Sequence, residues 1–295
     1  MARGHSRDFA QHRPYTYGDE SRSIDWKAYA RLDRFYVREY RAEDRIPVFI
    51  LLDCSGSMAY AGGGRQSKLD LGRRLAAATA WLALSQGDEA GLVTFATTAH
   101  LALEPRAGAA QLGAFDEALS AAAAAAETDL GVALALAAEK LPRRGMVLIV
   151  SDLMGDTAGA LKAMRGLVAR RHEVLVLRTI DPDERDFPYE GPCLLEGLEG
   201  GEPLFVDARE AAPAYRAAFA RQAEAYAGSL RRAGLAYAVA ETGGGWEGAL
   251  ARLLTRRGSA FPPRCGRCRS QRFRSCCTCS LAAARGAFRF PILPC

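Results

Sequence analysis

The chain has 295 residues, of which 49% are hydrophobic and 25% charged, as in an ordinary soluble globular protein. No run of eighteen or more apolar residues occurs, so no membrane-spanning helix is predicted, and the N-terminus MARGHSRDF lacks the apolar core of a signal peptide. The formal net charge of +5 comes from residues 259–295, which hold seven arginines and no acidic residue. The rest of the chain has 32 basic and 34 acidic residues, which argues against a nucleic-acid-binding surface. A cytoplasmic location is the default expectation.

Residues 1–45 form an irregular N-terminal segment that is dense in arginine, aspartate and aromatic residues. A short helix is predicted at 24–32 and a strand at 35–40. No long amphipathic period runs through the segment. It is interpreted either as an ion-paired cover over the main domain or as a partner-binding face.

Residues 46–258 alternate strand and helix patterns, beginning with the apolar run 46–52, which predicts a strand buried on both faces. The other predicted strands are 90–95, 99–103 at an edge, 146–150, 173–179, 204–206 and 235–239. The predicted helices are 67–85, 109–126, 131–140, 157–169, 213–232 and 246–256. This alternation predicts a doubly wound, Rossmann-like α/β domain with a mostly parallel sheet and helices on both faces. Ligands of such folds bind at the carboxyl ends of the strands.

Residues 259–295 lose all periodicity and hold six of the eight cysteines. Their spacing, C-x2-C-x7-C-C-x-C, is a possible zinc site, but no histidine completes it. This region is expected to be a disordered or mistranslated tail.

The sequence DCSGSM follows the first buried strand and places Asp53, Ser55 and Ser57 where that strand ends. A turn there can bring alternate side chains to the same side. One carboxylate and two hydroxyls are hard oxygen donors, which suit Mg²⁺ or Mn²⁺ better than zinc. The motif therefore predicts a cation site at the sheet edge.

Two further loops are predicted at the same edge, and they contain Thr128 and Asp152. Either residue alone would more often be a helix N-cap than a metal ligand. The combination of three loops with oxygen donors favours the metal site.

These residues carry a resemblance to two known groups of proteins. DCSGSM, with TDLGVAL and VSDL downstream, resembles the metal-ion-dependent adhesion site of von Willebrand factor type A domains. The stretches RPYTYGDESRSIDWKAYARLDRFYVREY and SKLDLGRRLAAATAWLALSQGDEAGLVTF resemble the bacterial family called domain of unknown function 58. The resemblance covers roughly residues 4–257. Family members usually carry more sequence before this point, so the resemblance implies a missing N-terminal element.

The resemblance implies that Ser55, Ser57 and Thr128 bind Mg²⁺ and that Asp53 and Asp152 act directly or through water. A partner's Glu or Asp would complete the coordination. Members are commonly encoded beside MoxR-type AAA+ ATPases, which implies an adaptor or co-chaperone of such an ATPase.

Two other functions stay open at this point. One is a metal-assisted hydrolase, with Asp129 or Asp156 as the general base. The other is a type A scaffold that uses no metal. No catalytic constellation is found, so an enzyme is not predicted.

Overall fold

The structure is a computed structural model that describes residues 8–17, 24–41, 46–124, 130–141 and 144–255. Contacts between Cα atoms divide the chain into two compact units, Met1–Arg45 and Ile46–Cys295. The predicted tail 259–295 lies outside the described residues.

In the part of the first unit that the structure describes, a two-stranded antiparallel sheet is accompanied by one helix. Strand β1 (Asp8–Pro14) pairs with β2 (Tyr36–Arg41), and α1 (Trp26–Leu32) lies between them in the chain. Asp25 caps α1, since its side chain accepts hydrogen bonds from the first amides of the helix. Strand β1 was not predicted, because its sequence DFAQHRP ends in proline and shows little apolar alternation.

The second unit is the α/β domain. Its elements, in chain order, are β3 (Pro47–Asp53), a 3₁₀ turn (Gly56–Ala59), α2 (Lys68–Ser85), β4 (Glu89–Phe95), β5 (Ala99–Arg106), α3 (Ala110–Ala121), α4 (Leu130–Glu139), β6 (Met146–Ser151), α5 (Thr157–Ala169), β7 (Glu173–Ile180), α6 (Pro182–Asp186), β8 (Pro192–Leu195), β9 (Leu204–Asp207), α7 (Ala208–Arg232), β10 (Ala236–Glu241) and α8 (Trp246–Thr255). Within the described ranges none of these helices combines the length and apolar character needed to cross a bilayer.

The main sheet has six strands in the order β10-β7-β6-β3-β4-β5. All neighbouring strands are parallel except β5, which runs antiparallel to β4 at one edge. The predicted α/β class and edge strand are therefore confirmed. From β3 the chain continues to β4, which lies on one side of β3 in the sheet, and it later returns to β6, which lies on the other side of β3. The carboxyl end of β3 consequently lies at the topological switch point, where open α/β sheets bind ligands.

The helices cover both faces of the sheet and bury its apolar side chains. Alternate residues of β3 point to opposite faces of the sheet. Ile50 and Leu52 pack in the core under α2, α3 and α8. Phe49 and Leu51 pack in the core under α4, α5 and α7. Burial on both faces explains why β3 is a continuous apolar run.

Some predicted boundaries are wrong, and local hydrogen bonds explain why. Helix α3 ends at Ala121 rather than 126, because Ala122 adopts an extended conformation, in which its carbonyl oxygen accepts a hydrogen bond from Arg73. Helix α7 begins five residues before Pro213, since Asp207 caps it. The hairpin strand β8 was not predicted, because its sequence PCLL begins with a proline and has no run of buried residues.

Candidate functional site

Three buried aspartates follow one another along the carboxyl edge of the sheet. Asp53 is the last residue of β3, Asp152 follows β6, and Asp181 follows β7. Each is at most 2% exposed. Ionised carboxylates at this depth need either a cation or several hydrogen-bond donors, so the partners of each aspartate decide what it can do.

The DCSGSM turn brings the first three predicted site residues together. Oδ1 of Asp53 accepts a hydrogen bond from the amide of Ser55 at 2.9 Å, which folds the chain back at the strand end. The hydroxyl oxygens of Ser55 and Ser57 then lie 3.0 Å apart. Met58 is fully buried and accepts a hydrogen bond from Thr179, so the turn is tied to the core.

Ser151 contributes to the site, although the sequence analysis did not single it out. Its hydroxyl donates to Oδ2 of Asp53 at 2.6 Å and accepts from the amide of Leu153 at 2.9 Å. Both carboxylate oxygens of Asp53 therefore have neutral donors. The position of Ser151 at the end of a strand neighbouring β3 is the signal that could have found it.

Burial raises the pKa of Asp53 to about 7, and the nearby charge of Asp152 adds to this effect. The hydrogen bonds from Ser151 and Ser55 act in the opposite direction but do not compensate. Asp53 forms no ion pair with any residue that the structure describes. A bound cation would supply the missing positive charge.

Asp152, by contrast, already has a cationic partner within the protein. The ammonium of Lys68 lies 2.7 Å from Oδ2 of Asp152 and 2.5 Å from Oε1 of Glu184. Burial opposes charge on Lys68, but the two carboxylates outweigh it and raise the pKa of the lysine. The amide of Met154 occupies the other oxygen of Asp152. Lys68 lies in the first turn of α2, where sequence reasoning saw only helix.

Asp181 is the most completely paired of the three. It accepts from Arg65 at 2.7 Å and from the hydroxyl of Thr242 at 2.5 Å. The amides of Gly62 and Asp183 also donate to it. Burial alone would raise its pKa, but these donors lower it to about 2.

The helix-cap alternative fails for Asp152, because Asp156 caps α5 with both of its carboxylate oxygens. The same contacts give Asp156, one of the two candidate general bases, a structural role. Asp129, the other candidate base, and Thr128, the predicted third hydroxyl ligand, lie outside the described residues.

The side-chain oxygens of Asp53, Ser55 and Ser57 are suited to bind a small, hard cation. Adjacent oxygens of a regular octahedron with Mg–O bonds of 2.0–2.1 Å are about 2.9 Å apart. The two serine hydroxyls form a hydrogen bond at 3.0 Å, so their oxygens match one edge of that octahedron once the shared proton turns away. Across the described ranges no three His, Cys, Asp or Glu side chains group as a metal site, so this candidate depends on hydroxyl oxygens.

Glu199 reaches the same turn from a distant part of the chain. It lies in the loop between β8 and β9, and its Oε1 accepts a hydrogen bond from the amide of Ser57 at 3.2 Å. No motif pointed to it, since its contact spans 142 residues of sequence.

The sequence profile of the family described as "Protein of unknown function DUF58" matches residues 11–227. The chain belongs to this family. An uncharacterized protein of Mycobacterium bovis is 30% identical to this DUF58 protein over 227 residues, which cover 75% of the chain and 68% of the relative. An uncharacterized protein of Mycobacterium avium is 34% identical over 101 residues, covering 32% of the chain and 59% of the relative.

Two solved structures are also similar to this DUF58 protein. A conserved hypothetical protein BatB from Bacteroides thetaiotaomicron matches with a TM-score of 0.47 and 19% identity, covering 72% of this chain and 98% of that one. A von Willebrand factor type A protein from Catenulispora acidiphila matches with a TM-score of 0.35 and 20% identity, covering 48% of this chain and 34% of that one.

Proposed function

We propose that this DUF58 protein is a metal-dependent protein-interaction module that binds a partner's carboxylate through Mg²⁺, or Mn²⁺, at the end of β3. Asp53, Ser55 and Ser57 are the proposed ligands, together with Thr128. Asp152 takes part directly or through water. The partner is proposed, on the family resemblance, to be a MoxR-type AAA+ ATPase or its client. The cytoplasmic location stays a prediction.

The single observation that carries the proposal is the lack of a cationic partner for Asp53 among the described residues. Its carboxylate is 2% exposed and receives only neutral donors, whereas Asp152 and Asp181 each bind a cationic side chain of the protein. Two hydroxyls with the spacing of octahedral ligands lie in the turn that Asp53 initiates. A divalent ion here would neutralise Asp53 and keep coordination positions for waters or for a partner.

Neutral serine hydroxyls leave most of the charge of such an ion uncompensated. The ion therefore stays attractive to an external carboxylate, and this favours partner recognition. A partner Glu or Asp that must meet one fixed ion supplies specificity more than bulk affinity.

Calorimetric titration of the purified protein with Mg²⁺ and Mn²⁺ tests the metal site directly. Wild type should bind one ion, and the double variant Ser55→Ala/Ser57→Ala should lose most of that binding. Ser120→Ala is the matched control, since this serine is exposed on α3. Absence of binding in wild type at millimolar metal would support the metal-free scaffold instead.

The partner is tested with a purified, nucleotide-free MoxR-type ATPase. The ATPase itself uses Mg²⁺ with ATP, so a chelator would disturb both proteins, whereas the serine variants remove only this site. Wild type and Ser120→Ala should bind the ATPase, and Ser55→Ala/Ser57→Ala should not. Equal binding by all three proteins would contradict the proposal.

A further inference from the structure

We propose that Glu199 is a built-in carboxylate ligand of the ion at the Asp53–Ser57 turn, and that a partner's carboxylate must displace it. This inference rests on the proposed metal site. It adds a residue of the chain that competes with the partner for the same coordination position.

The contact of Glu199 distinguishes it from the rest of its loop. All other residues of the loop 196–203 are exposed, whereas Glu199 is half-buried. Its carboxylate accepts a hydrogen bond from the amide of Ser57. The hydroxyl of Ser57 is in turn 3.0 Å from the hydroxyl of Ser55. A carboxylate in that place is within the immediate surroundings of the proposed ion.

The local backbone presents this one side chain towards the site. The amide of Gly200 donates to the carbonyl oxygen of Gly197 at 3.2 Å, which closes a tight turn with Glu199 inside it. Gly200 and Gly201 adopt positive φ angles of 99° and 104°, conformations that favour glycine. Glycines on both sides of Glu199 therefore direct its side chain towards the site and also allow the tip of the β8–β9 hairpin to change conformation.

The base of the hairpin is anchored, so movement of Glu199 does not require the domain to unfold. Cys193 and Leu195 of β8 pack against a small core of Phe187, Ala208 and Ala212. Strand β8 pairs with β9 through four residues on each side. The tip can leave the ion while the strands stay in place.

The chemistry of Glu199 fits a ligand better than a purely structural acceptor. Asp53 and Asp152 already place two carboxyl groups at this edge, and the ammonium of Lys68 is shared between Asp152 and Glu184. A third carboxylate brought against this turn is repelled unless a cation lies there. A divalent ion removes that repulsion and uses the carboxylate as a hard oxygen ligand.

Mn²⁺ titration of wild type, Glu199→Gln and Glu202→Gln, with and without added acetate, tests the inference. Glutamine keeps an acceptor for the Ser57 amide but removes the charge. Glu202 is exposed in the same loop, so its variant controls for the change in net charge. Circular dichroism checks that each variant is folded.

We expect Glu199→Gln to bind Mn²⁺ about tenfold more weakly than wild type, which is the usual scale for losing a group that supports a metal site. Acetate should restore the affinity of Glu199→Gln and leave wild type unchanged, because only the variant offers a free carboxylate position. Glu202→Gln should behave as wild type.

Three results would overturn the inference while the metal site stands: equal Mn²⁺ affinity in wild type and Glu199→Gln, equal weakening in Glu202→Gln, or a weakened Glu199→Gln that acetate does not rescue. If wild type binds no Mn²⁺ at all, the proposed function fails, and the inference fails with it.

Discussion

Asp53 at the end of β3 and Asp181 after β7 occupy equivalent places on one sheet edge, yet the protein treats them in opposite ways. Asp181 has Arg65 and a set of hydroxyl and amide donors, and its pKa falls to about 2. Asp53 has neutral donors and a neighbouring Asp152, and its pKa rises to about 7. Both side chains are almost fully excluded from solvent, but Asp53 is surrounded by more protein than Asp181, so its pKa rises both through the larger desolvation and through the lack of a cationic partner. The fold supplies Arg65 for Asp181, whereas none of the described residues supplies a cation for Asp53.

The largest expected effect comes from removing Lys68, the buried cation that pairs with Asp152 beside Asp53. Lys68→Met leaves the buried carboxylates of Asp152 and Glu184 without their shared partner. The free energy of unfolding should fall by about 3–5 kcal/mol, the usual cost of breaking a buried ion pair on one side. Urea denaturation of metal-free protein measures this loss. Lys162→Met, on the exposed face of α5, should change stability by less than about 0.5 kcal/mol.

Asp181→Asn tests the contribution of the aspartate that has a cationic partner within the protein. A folded pKa of about 2 lies below the unfolded value of about 3.9, so ionised Asp181 stabilises the folded state above about pH 4. That contribution, about 2 kcal/mol, disappears as the pH falls towards 2. The variant should be less stable than wild type at pH 7 and equal to it near pH 2. A constant difference across this range would show that Asp181 acts only as a hydrogen-bond acceptor.

In metal-free protein, Asp53→Asn should change the free energy of unfolding in the opposite direction to Asp181→Asn. The change should be smaller, because protein relaxation offsets part of the cost of burying the carboxylate. The folded pKa of about 7 lies above the unfolded value, so wild type loses stability as the pH rises from about 4 to about 7. Above pH 7 the variant should be more stable by on the order of 1 kcal/mol. Thermal unfolding with and without Mg²⁺ should then show stabilisation by the ion in wild type only. A less stable variant would mean that ionised Asp53 is a structural acceptor.

The sequence was sufficient for the architecture and for the local part of the site. Continuous apolar strands such as β3 and the amphipathic helices are encoded within a few residues, so the α/β class follows from pattern alone. The relation between Asp53, Ser55 and Ser57 is also local, since one turn sets it.

The rest of the site depends on contacts between distant segments, which periodicity does not encode. Ser151 meets Asp53 across 98 residues, Lys68 meets Glu184 across 116, and Ser57 meets Glu199 across 142. From sequence alone, a lysine in a helix and a glutamate in a short glycine-rich loop are both expected to be exposed to solvent. Only the order of the strands brings them to one edge.

The burial of Lys68 also bears on how the domain is made during synthesis. Helix α2 emerges from the ribosome long before the two acidic residues that neutralise its lysine, Asp152 and Glu184. Until those segments are available, docking α2 onto β3 would bury an uncompensated ammonium, which is strongly unfavourable. A nascent chain that ends before Asp152 should therefore remain sensitive to protease, and the domain should acquire its protection only after that residue is available.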